Sequence, residues 1–206
     1  GYYSHICGGT LISSKWVMTA AHCVSTDVTY QVVLGEHNLS ETDGTEYSID
    51  VDKIFFHDGW NPNDIANGYD IALLRLSSYA YDNGFVEIAQ LPPEDDILPN
   101  GFVCYLTGWG VINGKQGQGR SVGAASWIQR NHRVDWWGSQ AKASMICAGG
   151  DGVRAGCSGD SGGPLNCYRN KRWEIRGIVS FGLVPYCNTS KKPTVFTRVS
   201  SYLDWI

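Results

Sequence analysis

Short runs of alternating or wholly apolar residues, separated by turn residues, recur along the chain. Clusters of Gly, Asn, Asp and Pro lie between them, and helical periodicity is scarce. Runs of this kind predict short β-strands, and their number favours an all-β sandwich or barrel. The clearest helix signal lies at the end of the chain, where Ser200 can cap a helix that reaches Ile206. The predicted strands are Tyr30–Leu34, Tyr47–Val51, Phe102–Leu106, Trp173–Val179 and Thr194–Thr197.

One proline-rich stretch, from Leu91 to Gly101, is the best candidate for a linker. A chain of 206 residues corresponds to one large or two small domains. It can bury about 70% of its unfolded surface, which is enough for a substantial core. We therefore predict an N-terminal unit over 1–96 and a C-terminal unit over 97–206.

Composition and charge exclude several classes of protein. With 43% hydrophobic and 17% charged residues, the chain resembles neither a disordered protein nor a coiled coil. The net charge of −4 offers no basic surface for nucleic acid or anionic membranes. The apolar runs, such as Ile71–Leu74, are far shorter than the roughly 20 residues of a membrane span. The first residues show neither the charged start nor the apolar run of a signal peptide. We expect no nucleic acid and no membrane among the partners.

The seven cysteines are scattered along the chain without a C-x-x-C pair. Metal sites usually contain tight pairs of that kind, so a disulfide framework is the better interpretation. Disulfides persist in oxidising compartments, which predicts a secreted, extracellular protein. Because seven is odd, at least one cysteine cannot pair within the chain.

Three segments contain candidate catalytic residues. His22 stands next to a cysteine and Asp70 precedes an apolar run, and each taken alone is more often structural. The third segment, 159–164, reads Gly-Asp-Ser-Gly-Gly-Pro around Ser161. Acyl transfer needs a nucleophile beside donors for the developing oxyanion, and the N–H groups of Gly159 and Ser161 can supply them. A glycine-rich turn is the alternative, but the motif is too long and too particular for it.

Together, Thr19–Cys23, Asp70–Leu74 and Gly159–Pro164 resemble the motifs of chymotrypsin-like serine proteases, and they occur in that family's chain order. Further segments resemble pancreatic elastases: Trp16–Thr19, Val33–Leu39 and Lys192–Val199. The resemblance implies two antiparallel six-stranded β-barrels of the chymotrypsin-like type with a short C-terminal helix.

The resemblance also implies the catalytic roles. Ser161 attacks the peptide carbonyl, His22 accepts its proton, and Asp70 orients His22, while the N–H groups of Gly159 and Ser161 hold the oxyanion. The implied protein is a monomeric serine endopeptidase, secreted as a digestive zymogen, that needs no cofactor for catalysis. Its expected partners are protein and peptide substrates and proteinaceous protease inhibitors.

The substrate pocket follows from the same resemblance. Ala155 falls at the pocket floor, where a trypsin-like enzyme carries Asp, so a buried Lys or Arg side chain would stay unpaired. Gly182 leaves one wall open, and Thr194 narrows the cavity from the facing wall. Ser180, Phe181 and Gly182 resemble the strand that pairs with the substrate backbone. We expect cleavage after medium-sized apolar residues, Leu and Met first and then Ala.

One acidic loop is a candidate calcium site. It contains Glu36, Asn38, Glu41, Asp43 and Glu46. Carboxylates and backbone carbonyls can close on a hard cation, although composition alone favours a solvated acidic turn. Similarity to the calcium loop of trypsins and elastases implies a structural Ca²⁺, with Asn38 and Glu41 contributing their carbonyls.

The family's disulfides correspond to the pairs Cys7–Cys23, Cys104–Cys167 and Cys157–Cys187, which leaves Cys147 over.

Three departures from the family pattern stand out. The usual start, Ile or Val followed by Val-Gly-Gly, is absent from this chain. In the family, the α-amino group released by zymogen cleavage pairs with the residue that corresponds to Asp160. Without that group we expect Asp160 to pair with His5, as in a zymogen. The segment 116–133 does not resemble the elastases, and the chain stops at Ile206, where the family's terminal helix usually continues.

Two other classes of function compete with the protease. The first is a latent or non-catalytic homologue that acts as a binding protein, although such homologues commonly lack one of the three catalytic residues. The second is a zinc protein that uses His22 and neighbouring cysteines, for which no ligand cluster has suitable spacing.

Overall fold

The computed structural model describes residues 3–111, 122–128, 136–184 and 186–206, and their regular structure is almost entirely β. The strands are β1 (Thr10–Ser13), β2 (Trp16–Thr19), β3 (Gln31–Leu34), β4 (Tyr47–Phe56), β5 (Ala72–Leu76), β6 (Val103–Gly108), β7 (Val122–Trp127), β8 (Met145–Ala148), β9 (Pro164–Arg169), β10 (Arg172–Phe181) and β11 (Thr194–Arg198). Short 3-10 turns lie at Ala21–Cys23, Ile65–Asn67, Gly138–Gln140 and Val199–Ser201. All five strands predicted from the sequence overlap strands of the structure.

The strands form two antiparallel sheets, one from each half of the chain. The first has the order β1-β2-β5-β4-β3 and the second the order β7-β6-β9-β10-β11-β8. The all-β class is therefore confirmed. The second sheet has the expected six strands, whereas the described residues form five in the first. The segment after β5 returns along β1 with isolated backbone bonds only, from Ala80 to Ser14 and from Ala89 to Leu11.

The hairpin between β9 and β10 directs the longest strand of the second half back through its sheet. Arg169 pairs with Arg172, so the loop contains only two residues. Asn170 and Lys171 both have positive φ, 52° and 65°. Two consecutive positive φ values characterise a type I′ turn, whose twist matches that of the flanking strands. As a result, β10 lies between β9 and β11 and carries Ser180 toward the first half of the chain.

Buried apolar side chains form a cluster within each sheet and another cluster between the two halves of the chain. Leu76 lies in the cluster of the first sheet and Leu165 in that of the second. The third cluster packs Met18 and Ile71 of the first half against Ile178 of β10. This shared core holds the ends of β2 and β5 against β10, where the catalytic residues were predicted.

The end of the chain differs from the predicted helix over Ser200–Ile206. It forms a 3-10 turn at Val199–Ser201 and then hydrogen-bonded turns, with the Ile206 N–H 3.0 Å from the Tyr202 carbonyl. Val199 and Tyr202 are both buried. Both belong to the apolar cluster that lies between the two halves of the chain. In the part of the chain that the structure describes, no helix has the length and apolarity needed to cross a membrane.

The proline-rich linker between β5 and β6 is attached to the second sheet. Arg176 in β10 donates to the Asp96 carbonyl at 2.9 Å and to its carboxylate at 2.6 Å. Asp96 also pairs with Arg169 of β9, at 3.1 Å. The proposed boundary at 96/97 falls beside these contacts and stays a prediction.

The segment 116–133, which departs from the elastase pattern, is described only in part. Val122–Trp127 forms β7 and pairs with β6 from Val103 to Gly108. Ile128 follows as an isolated bridge to Ala148. The remainder, 116–121 and 129–133, lies outside the described residues.

Candidate active site

A histidine and an aspartate meet where β2 and β5 of the first sheet lie side by side. His22 sits in the 3-10 turn that follows β2, and Asp70 precedes β5. The ring Nδ1 of His22 lies 2.7 Å from Asp70 Oδ2, and the His22 backbone N–H donates to Oδ1 at 2.9 Å. Because a carboxylate can only accept, Nδ1 carries the proton and Nε2 is left as the acceptor. The imidazole is therefore held in the tautomer of a general base.

The second sheet completes the environment of Asp70. The Ser180 hydroxyl donates to Asp70 Oδ2 at 2.5 Å, and the Thr197 hydroxyl donates to the Asp70 carbonyl at 2.8 Å. The register between β10 and β11 shifts between Val179 and Phe181, which places Ser180 in an irregularity of the strand. Such bulges re-aim a side chain next to active sites. Asp70 is only 1% exposed. The Ser180 hydroxyl and the two N–H groups of His22 therefore replace the water that its carboxylate has lost.

Ser161 lies in a loop that both halves of the molecule fix through the backbone. The Ser161 carbonyl accepts the Gly8 N–H at 2.7 Å, which ties it to the segment before β1. Gly162 donates to the Val179 carbonyl at 2.9 Å, and Val179 donates to the Gly163 carbonyl at 2.9 Å. The φ of Gly162 is +76°, a conformation that side-chain-bearing residues rarely adopt. The loop of the proposed nucleophile is thus fixed immediately after Ser161.

Cys23 lies between the Ser161 loop and His22. A Cβ added at Gly162 would lie 3.1 Å from Cys23 Sγ. That sulfur lies 3.9 Å from His22 Nε2, the ring nitrogen that does not face Asp70. The structure contains no hydrogen bond between the Ser161 hydroxyl and His22. Catalytic hydrogen bonds are often long without substrate and shorten in the complex.

The backbone at Gly159 has a conformation that few residues other than glycine adopt. Gly159 has a φ of +97°, and its carbonyl points at His5, whose Nε2 lies 2.9 Å away. Neither the Gly159 N–H nor the Ser161 N–H donates to an acceptor within the described residues. Two uncommitted donors, two residues apart in a tight loop, can receive an oxyanion.

Asp160, between those two donors, is buried and accepts two backbone hydrogen bonds. Its Oδ1 accepts the Gly110 N–H and its Oδ2 the Cys157 N–H, both at 2.9 Å. Burial raises the pKa of the Asp160 carboxyl above its ordinary value of 3.8, although these two N–H groups and the nearby His5 act in the opposite direction. The expected ion pair between Asp160 and His5 is not formed, because the His5 ring hydrogen-bonds the Gly159 carbonyl instead.

The predicted pocket walls face each other in the second sheet. A Cβ added at Gly182 would meet no atom closer than the Thr194 Cα, at 3.9 Å. The Thr194 hydroxyl accepts the Gly156 N–H at 2.8 Å, which holds the segment next to Ala155 against this wall. Phe181 pairs with Val195 at the end of β10. The space beside Gly182 is therefore open on the side of Thr194, and the pocket assignment stays a prediction.

Three disulfides, Cys7–Cys23, Cys104–Cys167 and Cys157–Cys187, are formed as the resemblance implied. Cys147 is buried in β8, opposite Val195 of β11. Cys7, His22 and Cys23 do lie together, with ligand atoms within 4.8 Å of one another. The two sulfur atoms share a disulfide, however, so neither is a thiolate that could ligate zinc. The zinc interpretation therefore fails for a reason of chemistry rather than of spacing.

The acidic loop contains a buried carboxylate oxygen that no donor satisfies. This atom, Oε1 of Glu36, has no hydrogen-bond partner within the described residues. The Asn38 amide donates to Glu41 Oε2 at 3.1 Å, and Glu46 Oε2 accepts the Thr45 N–H at 2.9 Å. The carboxylates of Glu36, Asp43 and Glu46 do not all lie within 4.8 Å of one another. The donor set is that of a hard cation, and the unsatisfied oxygen fits one.

Comparison with known proteins identifies the class that this fold and site define. The family model described as Trypsin matches residues 1–206. The chain belongs to the trypsin family. It is accordingly a serine endopeptidase of elastase-like type, a hydrolase that requires no cofactor for catalysis. Proteases of this family act on protein and peptide substrates and are blocked by protease inhibitors.

Several relatives that are about 50% identical to this chain carry the same name, chymotrypsin-like elastase family member 1. The chain is 53% identical to the Bos taurus protein over 210 residues, covering 98% of this chain and 77% of that protein. It is 50% identical to the Rattus norvegicus protein, covering 100% and 79%. It is 48% identical to the Homo sapiens protein over 206 residues, covering 98% and 80%. The resemblance to elastases seen in the motifs therefore extends over the whole chain.

Sequence reasoning missed several residues that support the site. It assigned Ser180 to the substrate strand but not to the Asp70 carboxylate, and it gave no role to Thr197 or Gly8. The contact from Ser180 to Asp70 spans 110 positions and that from Thr197 spans 127. Local sequence patterns do not predict contacts between residues so far apart in the chain. For Gly8, the signal was its place in a Cys-Gly-Gly segment that must pass close to another backbone.

Proposed function

We propose that this protein is a secreted endopeptidase that cleaves peptide bonds after medium-sized apolar residues, Leu, Met and Ala, through an acyl-enzyme. The observation that carries the proposal is the buried Asp70 carboxylate, which holds His22 through both its ring and its backbone N–H. This arrangement leaves Nε2 of His22 available on the side where the Ser161 loop is fixed.

In the proposed reaction Ser161 Oγ attacks the substrate carbonyl carbon while its proton passes to His22 Nε2. The tetrahedral intermediate collapses, the C–N bond breaks, and the imidazolium returns the proton to the leaving amine. Water then attacks the acyl-enzyme by the same route and regenerates Ser161. Asp70 stabilises the imidazolium in both halves of the reaction. No cofactor or redox partner is required at any step.

The oxyanion would be held by the N–H groups of Gly159 and Ser161. A donor of this kind contributes about 3 kcal/mol to transition-state stabilisation. Their lack of an acceptor within the described residues supports this role, since donors already bonded would first have to be released.

The pocket would be formed by Ala155, Gly182 and Thr194, with Ser180 to Gly182 pairing with the substrate backbone. The lack of a carboxylate at Ala155 disfavours Lys and Arg side chains, because a cation buried there would stay unpaired. The open wall at Gly182 admits a side chain the size of Leu. Thr194, fully buried and hydrogen-bonded to Gly156, limits the opposite side.

Peptide substrates that differ only in the residue before the cleaved bond test both chemistry and pocket. We expect kcat/KM to be highest for Leu and Met, lower for Ala and lowest for Lys, and no turnover by Ser161→Ala. Gly182→Val, which fills the open wall, should shift the preference from Leu toward Ala. Fast cleavage after Lys, or an unchanged Leu-to-Ala ratio in Gly182→Val, would contradict the pocket assignment.

Secretion, zymogen activation and a monomeric state are further parts of the proposal. Three disulfides support an oxidising compartment. Asp160, buried and short of a cation, is suited to receive the α-ammonium group that zymogen cleavage releases in this family. Pairing there would lower the free energy of the ionised carboxylate and fix the loop that carries both oxyanion donors.

A structural Ca²⁺ would be held by the carboxylates of Glu36, Asp43 and Glu46 together with the carbonyls of Asn38 and Glu41. The ion would supply positive charge to a loop whose Glu36 Oε1 otherwise lacks a partner. The side chains of Asn38 and Glu41 bond each other, which supports their contributing through the backbone. Calcium should raise the melting temperature of the wild type and not that of Glu36→Gln, as calorimetry with and without a chelator would measure.

A further inference from the structure

Tyr69, the residue immediately before Asp70, has a backbone conformation that aromatic residues rarely adopt. Its φ is +59°. A bulky side chain in this left-handed region is a genuine outlier, because its Cβ crowds the following carbonyl oxygen. Strain of this kind persists only where the surroundings enforce it. The contacts that enforce it here come from the C-terminal segment and from the turn after β4.

The first contact fixes the peptide that leads into Asp70. The Tyr69 N–H donates to the phenol oxygen of Tyr202 at 3.1 Å. Tyr202 belongs to the turns at the end of the chain and is buried. The Tyr69 carbonyl then accepts the Ile71 N–H at 2.8 Å, which closes a tight turn around Asp70. These two hydrogen bonds, one on each side of Tyr69, hold the orientation of the peptide that leads into Asp70.

The second contact fixes the Tyr69 ring. The ring stacks on His57 with centroids 4.9 Å apart and planes 27° apart. Gly59 lies against it so closely that an added Cβ would come within 2.8–2.9 Å of three ring atoms. The Gly59 N–H donates to His57 Nδ1 at 3.0 Å, which holds the turn in place under the ring. Only a residue without a side chain fits at Gly59.

We propose that Tyr202 and Gly59 are positioning residues for catalysis: they hold Tyr69 in its strained conformation and so place Asp70 against His22. Neither touches the reacting atoms: Tyr202 acts through the backbone of Tyr69 and Gly59 acts through its ring. The inference rests on the proposed function, since it deepens the role given to Asp70. It also gives the end of the chain a part in catalysis, across 133 positions of sequence.

The first test is Tyr202→Phe, which keeps the ring and removes only the acceptor of the Tyr69 N–H. Active enzyme is counted by titration with a fluorophosphonate, so that kcat refers to folded, reactive sites. We expect kcat to fall about tenfold, since misplacing a catalytic group by a fraction of an ångström is enough for such a loss. KM should stay unchanged, because an interaction felt only in the transition state leaves substrate binding intact.

Tyr47→Phe is the matched control. The phenol oxygen of Tyr47 likewise accepts a backbone N–H, that of Tyr81, at 2.9 Å, in a part of the first sheet that does not contact Asp70. Its kcat per titrated site should equal that of the wild type.

Gly59→Ala is the second, independent variant. It tests the proposed positioning of Asp70 even if Tyr202→Phe does not fold. The added Cβ displaces the Tyr69 ring, so kcat should fall at unchanged KM. Full kcat in either folded variant, or an equal fall in Tyr47→Phe, overturns the inference while the wild type still turns over. A wild type without a titratable serine after zymogen cleavage would instead overturn the proposed function.

Discussion

Two buried aspartates, Asp70 and Asp160, flank the proposed reaction centre, and their surroundings differ sharply. The Asp70 carboxylate accepts hydrogen bonds from the His22 ring, the His22 backbone and the Ser180 hydroxyl. The Asp160 carboxylate accepts only two backbone N–H groups, and burial raises its pKa. The hydrogen-bond network of Asp70 is complete, whereas Asp160 is buried without the cationic partner that we propose for it.

A third buried acid shows what a finished ion pair looks like in this chain. Glu174 in β10 is fully buried and pairs with Arg176 of the same strand and with Arg172, the latter at 2.7 Å. Arg176 continues to Asp96 of the linker at 2.6 Å. The comparison indicates that the fold supplies cations where it needs rigidity. The described residues form no ion pair with Asp160, whose carboxylate accepts only backbone N–H groups, and that position is therefore open to control.

The largest effect is expected at Asp70. In Asp70→Asn the amide can donate to His22 Nδ1, which leaves the proton on Nε2 and removes the base. Proteases with this triad lose about 10⁴-fold in kcat on that change, and we expect a loss of similar size with little change in KM. Steady-state kinetics on a Leu substrate would measure it. Asp52→Asn, at an aspartate paired with Arg75 on the surface, is the control and should keep full activity.

Arg176→Met should give the next largest effect, on stability rather than on chemistry. It leaves the Glu174 carboxylate buried without its closest cation, and removing one partner of such a pair destabilises by about 3 kcal/mol. Urea unfolding would measure the change. The double variant with Glu174→Gln should recover part of the loss, because it removes the unpaired charge. The same change at Arg75, in an exposed pair with Asp52, should scarcely alter stability. A loss at Arg75 as large as that at Arg176 would contradict the account.

The smallest effect is a pH dependence from Asp160. Because its pKa is raised in the folded chain, the folded state holds this proton more tightly than the unfolded state does. Its contribution to stability is therefore fully present below the ordinary carboxyl value of 3.8 and is lost as pH rises through the folded pKa. The variant Asp160→Asn has no carboxyl group at this position, so its stability does not fall in this way as pH rises. Unfolding free energies of the two proteins should converge at the lowest pH and diverge as pH rises.

Other carboxyl groups titrate alike in both proteins, so the difference between the two unfolding free energies isolates Asp160. A difference that is independent of pH, or one of the opposite sign, would show that Asp160 already has a cationic partner in this chain. In that case, adding a peptide that begins with Ile-Val should leave the unfolding free energy unchanged.

Local patterns in the sequence were sufficient to predict five of the eleven strands of the described residues and to propose the residues of the chemistry. Alternating runs predicted β3, β4, β6, β10 and β11, and three short motifs contained His22, Asp70 and Ser161. Such motifs are local because a turn must present each group at a fixed point of the backbone. The terminal helix was predicted wrongly as to type: the chain forms a 3-10 turn at Val199–Ser201, followed by hydrogen-bonded turns.

The support of the site could not be predicted in the same way. The Ser180 contact to Asp70 depends on an irregular register between β10 and β11, and the Tyr202 contact to Tyr69 joins the end of the chain to its first half. Arg176 and Glu174 alternate with apolar residues in β10 and would be expected on a solvated face. Their burial depends on their pairing with each other and on the linker residue Asp96, 80 positions away from Arg176.

The central claim is that the Asp70–His22 pair activates Ser161, and intact mass spectrometry tests it most directly. The protein is treated with a fluorophosphonate, and the mass is recorded before and after, for the wild type and for Ser161→Ala. The account predicts a single adduct located on the Ser161 peptide, abolished in Ser161→Ala and much slower in Asp70→Asn. A wild type that forms no adduct even after zymogen cleavage, or an Asp70→Asn variant that is labelled as fast as the wild type, would contradict it.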